Sequence, residues 1–177
     1  MDWGTLVATV SGGFVAISGT VLADHLRRRH ESDRSVEARR RAVYIEFITA
    51  AGTCHTRLRQ IAQAPGAEAD LDASTRAALN DAAIYEVRER LFIDATTDVA
   101  SAGQAMFERL RTLQRAVAAG ASRNSPAFHD AYHPYIAAVW SYRLAARKEL
   151  EGRPFSPAAF GWEEWDGRDR CALCAAL

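Results

Sequence analysis

Trp3-Gly-Thr-Leu-Val-Ala-Thr-Val-Ser-Gly-Gly-Phe-Val-Ala-Ile-Ser-Gly-Thr-Val-Leu-Ala23 runs for 21 residues without a charge and then meets His25-Leu-Arg-Arg-Arg-His30. At about 1.5 Å per helical residue, such a stretch measures roughly 30 Å, the thickness of a bilayer's hydrocarbon core. The reading that follows is a single-pass membrane anchor. A buried core helix and an interfacial helix are the duller alternatives, because the strongly apolar residues are few and are diluted by Gly, Ala, Ser and Thr. A cleaved signal peptide fits poorly, since the basic residues follow the apolar run instead of preceding it.

Around this helix Trp3, Val7, Val10, Phe14, Ile17 and Val21 recur at spacings of four and three, forming one bulky face. The opposite face carries Ala8, Gly12, Ala16 and Gly19, small residues of the kind that let helices approach closely in lipid. They are the candidate self-association residues. Arg27, Arg28 and Arg29 open a basic juxtamembrane stretch that extends to Arg41. Positive charge at one end of an anchor marks that end as cytoplasmic, so the N-terminus is expected outside and the body inside the cell membrane.

Downstream, apolar positions follow helical spacing through Val43, Tyr44, Phe47, Ile48, Ala51, Leu58 and Ile61, and Pro65-Gly66 ends that run. A second helix is expected from Asp72 or Ser74 through Leu91, and a third from Thr96 or Thr97 to Gly120. Ser125-Pro126 is a start signal, but Pro134 lies too deep for an uninterrupted helix, so a short turn, a kink and then a fourth helix to Gly152 are expected. The fold class is therefore all-α: an N-terminal transmembrane helix running into a long helix of an up-down four-helix bundle, with a short aromatic-rich C-terminal tail. The expected boundaries are 1–24 for the anchor, 25–41 for the basic stretch, 42–152 for the bundle and 153–177 for the aromatic, acidic tail.

With 22 basic and 22 acidic residues the net charge is zero, so the global balance gives no reason to expect nucleic acid as a partner. Three cysteines (Cys54, Cys171, Cys174) make no regular disulfide framework. In the tail, Phe155, Phe160, Trp162 and Trp165 crowd beside carboxylates. They read either as a lid packed on the bundle or as a docking peptide in which Phe160, Trp162 and Trp165 anchor a partner.

His129 and His133 sit four apart, one helical turn, and Cys171 and Cys174 have zinc-ligand spacing. Nothing in the sequence brings these halves together and Pro134 disturbs the helix that would present the histidines, so no metal and no cofactor are expected. Glu-x-x-His pairs for a di-iron centre are missing, as are a Gly-x-Ser-x-Gly elbow, a phosphate-binding glycine loop and a dinucleotide fingerprint. Cys54 and His55 are sequence neighbours and point about 100° apart on a helix, which rules out a pair by adjacency alone. Cys174-Ala-Ala-Leu177 matches a prenylation box by letter, as an Ala-rich end does by chance.

The opening Trp3-Gly-Thr-Leu-Val-Ala-Thr-Val with Ala16-Ile-Ser-Gly-Thr-Val-Leu-Ala-Asp24, followed by Arg-rich and Ala-rich helices, resembles small single-pass membrane-anchored helical proteins of actinobacteria. The resemblance is one of organisation and implies topology without an active site. Together these readings point to a self-associating scaffold or adaptor, not an enzyme, with the lipid bilayer, a second copy and a cytosolic protein as partners. An oligomeric pore-forming effector and a metal-binding helical-bundle enzyme are the alternatives.

Overall fold

The computed structural model describes the backbone of residues 3–67, 70–153 and 155–174, and within them the side chains of residue 29 and of residues 34 onward. Among these residues the chain is all-helical, with α1 (Trp3–Gln63), α2 (Leu71–Asp81), α3 (Ile84–Asp94), α4 (Thr97–Ala118) and α5 (Pro126–Glu151). Single 3-10 turns occur at Pro65–Ala67, Pro157–Phe160 and Arg168–Arg170, and there is no strand. The chain divides into two compact units, Met1–Arg39 and Arg40–Leu177.

The expected membrane anchor is overturned. Among the described residues no helix is long and apolar enough to cross a membrane. The residues over Trp3–Ala23 do form helix. A membrane-crossing helix needs about 20 residues of predominantly apolar side chains, and no helix among the described residues supplies both the length and the apolarity. The membrane localisation and the outside–inside orientation fall with it. The side chains of Ala8, Gly12, Ala16, Gly19, Arg27 and Arg28 lie outside the described residues, and Arg29 is exposed.

The second unit has one continuous apolar core. In α1, Tyr44, Phe47, Ala51, Cys54, Leu58 and Ile61 are buried at helical spacing, and the matching stripe of α4 is Val99, Met106, Leu110, Leu113 and Val117. Two tyrosines of α5 set its register on α1: the Tyr135 hydroxyl donates to the Ala51 carbonyl at 3.2 Å and that of Tyr142 to the Tyr44 carbonyl at 3.1 Å. Because 51 pairs with 135 and 44 with 142, the two helices run antiparallel. Gly103 of α4 sits where Phe47, Leu91 and Tyr142 converge. A Cβ there would collide with Leu91 Cδ2 and come within 3.2 Å of Phe47 Cε1, so any larger residue would force the Leu91 side chain to shift.

Glu149 closes the opposite end of α5. It accepts from the Tyr44 hydroxyl at 2.9 Å and from the Thr96 hydroxyl at 2.5 Å, and pairs with Arg40 at 3.3 Å. Burial, reinforced by Glu149, pushes the Tyr44 phenol up to about 12, so it stays a donor at any ordinary pH.

Two helix boundaries differ from expectation. The second predicted helix is split into α2 and α3 at Ala83, which takes a left-handed conformation (φ 50°). No glycine or proline marks that break, and the strain, about 1 kcal/mol for such a residue, is held by the packing of Leu79 and Ile84 on either side. The other difference is at Pro134. Instead of a turn and a kink, α5 runs through it unbroken from its Ser125 cap, whose hydroxyl accepts from Phe128 N at 3.3 Å. Proline removes one intrahelical hydrogen bond, to the carbonyl of Asp130. Asp130 is exposed, and the buried Ala131, His133 and Tyr135 beside it hold the turn by tertiary packing.

Candidate metal centre

Because α5 is continuous at its start, His129 and His133 stand one turn apart on the same face. After Gly152 the chain returns along α5. The tail aromatics gather on Trp140: Trp165 stacks on it at 4.2 Å between ring centroids, and Phe155, Phe160 and Trp162 approach edge-on or tilted at 5.9, 5.3 and 5.6 Å. Trp162 and Trp165 are half-buried by these contacts, while Phe160 stays 47% exposed. Gly167, at a left-handed φ of 71°, then turns the chain into the Arg168–Arg170 turn and delivers Cys171.

The result corrects the expectation that the histidines and cysteines stay apart. One donor atom each from His129, His133, Cys171 and Cys174 lie within 4.8 Å of one another. His129 Nδ1 is 3.5 Å from His133 Nε2, 3.4 Å from Cys171 Sγ and 3.5 Å from Cys174 Sγ. Cys174 Sγ is 3.3 Å from His133 Nε2. A tetrahedral zinc ion with bonds of about 2.0–2.1 Å to nitrogen and 2.3 Å to sulfur separates its ligands by roughly 3.3–3.8 Å. The four measured separations match that single-ion geometry. A two-iron cluster of the Cys2His2 type would place the cysteines and histidines on different irons, which these nitrogen–sulfur approaches do not fit.

Each imidazole is oriented for coordination by a main-chain carbonyl. His129 Nε2 is 3.0 Å from the Arg123 carbonyl oxygen and His133 Nδ1 is 2.8 Å from that of Asp166. A carbonyl only accepts, so those nitrogens carry the protons, leaving His129 Nδ1 and His133 Nε2 as the free lone pairs that face the cluster. Arg123 is held in turn by its own N–H, which donates to the Ala62 carbonyl at 2.8 Å. On the cysteine side burial raises the Cys171 thiol, but hydrogen bonds from the backbone N–H groups of Cys174 and Leu173 outweigh it and hold the thiol below its usual range. Burial and the neighbouring Cys171 push Cys174 up.

The other histidine–cysteine neighbours offer no such chemistry. Burial pushes the Cys54 thiol up to about 12, which makes it a poor nucleophile. His55 lies between Tyr132 and Tyr135, with centroids at 5.6 and 5.0 Å, and its Nε2 is buried without a hydrogen-bond partner. Burial, and then the charge of Arg59, lower its pKa from 6.5 to about 4. The folded value lies below the unfolded one, so this histidine's stability contribution is complete above about pH 6.5 and is lost as the pH falls towards about 4. That loss totals roughly 3 kcal/mol at about 1.4 kcal/mol per pH unit. The His55→Phe protein, which keeps the ring stack, is expected to be about 2 kcal/mol less sensitive than the parent to a shift from pH 8 to pH 5. Urea melts at both pH values read this directly, and equal sensitivity of the two proteins would refute a buried neutral imidazole.

No family model, no curated protein and no solved structure matches the chain.

Proposed function

We infer that the chain is a zinc-binding, non-catalytic helical module, a scaffold or adaptor in which one ion clips the tail to α5. The observation that carries this reading is the convergence of four neutral-nitrogen and sulfur donors at tetrahedral separations, with both histidines fixed by carbonyls. Soft sulfur and imidazole donors in a tetrahedron select zinc over hard cations. Four protein ligands fill that tetrahedron, whereas a catalytic zinc keeps one position for water or substrate. The closed donor set therefore favours a structural ion over the metal-enzyme alternative.

The helical body is read as an up-down bundle of four positions. The later part of α1, α4 and α5 take three of them, and the short α2 and α3 share the fourth. The antiparallel register of α1 and α5 supports this arrangement. The module's partner is proposed to be another protein chain, a second copy included, for which Ile45 (59% exposed) and Ile93 (75% exposed) are available contact residues.

Cobalt substitution tests the site. Adding cobalt(II) to the metal-free full chain is expected to give the intense visible bands of a tetrahedral ion and a near-ultraviolet sulfur-to-cobalt charge-transfer band. They should saturate at one ion per chain and be displaced by zinc. A pale octahedral spectrum, or no saturation, would sink the reading.

A further inference from the structure

Beside the metal cluster lies a cavity of about 400 Å³, a size typical of small-molecule sites. Three arginines line it, from different parts of the chain: Arg59 of α1, Arg123 of the loop before α5, and Arg170 of the tail, whose guanidinium also donates to the Phe160 carbonyl at 3.4 Å. Its single carboxylate, Asp166, is already engaged by Arg168, through the backbone N–H at 3.0 Å and the side chain at 3.6 Å. Among the described residues neither Arg59 nor Arg123 forms an ion pair. The whole chain is electrically balanced, with 22 basic and 22 acidic residues, whereas the cavity lining holds three arginines against one carboxylate. Arg59 leaves its mark nearby, being the second cause of the depressed basicity of His55.

The cavity lining also includes the aromatic residues Tyr132 and Trp162. Aromatic faces take planar groups, and unpaired guanidiniums take carboxylate or phosphate oxygens through charge-assisted, often bidentate hydrogen bonds.

We propose that this cavity binds a small organic anion, its carboxylate or phosphate held by Arg59, Arg123 and Arg170 and its planar apolar part lying against Trp162 and Tyr132. The inference rests on the zinc reading, because Trp162 and Arg170 belong to the tail that the ion clips in place, and the Arg123 carbonyl orients the metal ligand His129. Ion and anion therefore reinforce each other's binding, by equal factors.

Calorimetric titration of the zinc-loaded full chain with inorganic phosphate, phenyl phosphate and benzoate tests it, alongside the Arg59→Gln protein. At least one aryl anion is expected to bind saturably, and at least tenfold more tightly than inorganic phosphate. Which aryl anion wins distinguishes the phosphate from the carboxylate source. Arg59→Gln should weaken that binding about tenfold, the size of one charge-assisted hydrogen bond, while zinc stays at one ion per chain. If the zinc-loaded chain binds neither aryl anion, prefers inorganic phosphate, or responds less than threefold to Arg59→Gln, the anion site is overturned and the metal centre stands. A chain that takes up no zinc overturns both.

Discussion

Replacing Cys171 and Cys174 together by serine is expected to drop the zinc content from one ion per chain to less than about a tenth, and to release the tail from α5. Oxygen in place of thiolate removes the soft half of the donor set, and zinc held by two imidazoles alone is bound weakly. The stability lost depends on free zinc. At a concentration about 1,000-fold above the dissociation constant, the ion contributes roughly 4 kcal/mol by mass action. The loss should fall on the tail first, since its two 3-10 turns bury no residue completely, whereas the apolar core of α1, α4 and α5 contains none of the four candidate ligands. Far-ultraviolet circular dichroism should thus change little while trypsin cleavage after Arg168 and Arg170 accelerates. Metal analysis of purified wild-type and double-variant protein gives the first answer. Equal zinc in the two would exclude the cysteines as ligands.

The second large effect is expected at Trp140. This α5 side chain is the surface on which Phe155, Phe160, Trp162 and Trp165 assemble, and Arg143 lies over its ring at 4.6 Å. Trp140→Ala removes the central member of that cluster. Full Trp burial is worth about 3–5 kcal/mol on truncation, and a half-buried Trp belongs at the lower end, about 3 kcal/mol. The tail then loses the packing that preorganises Cys171 and Cys174, so zinc affinity should fall as well, by about tenfold or more. Denaturant melts with and without added zinc separate the two contributions. Affinity unchanged from wild type would mean that the ion alone positions the tail. The lid reading of the four tail aromatics matches this packing. Phe160, which keeps the most exposure of the three proposed docking residues, is the one still available to a partner.

Local chemistry was legible in the residues themselves. The apolar stripes at Tyr44, Phe47, Leu58 and Ile61 and at Met106, Leu110, Leu113 and Val117 are buried as their spacing requires, because a 3.6-residue period leaves an amphipathic segment one way to remove that surface from water. The Ser125-Pro126 start and the Gly152 stop hold for equally local reasons. The two pairs with ligand spacing, His129 with His133 and Cys171 with Cys174, were also visible.

Tertiary structure decided what those signals could not. No helix among the described residues is long and apolar enough to cross a membrane, although the uncharged opening invited that reading by its length. Pro134 is carried inside α5 because packing of the neighbouring turn outweighs one lost hydrogen bond. Most consequential is the meeting of the histidine and cysteine pairs. It depends on stacking of Trp165 on Trp140, on the left-handed turn at Gly167 and on the Asp166 carbonyl that orients His133. Spacing within a motif is a property of the chain. The distance between two motifs is set by the packing of everything between them, and here that packing makes the site.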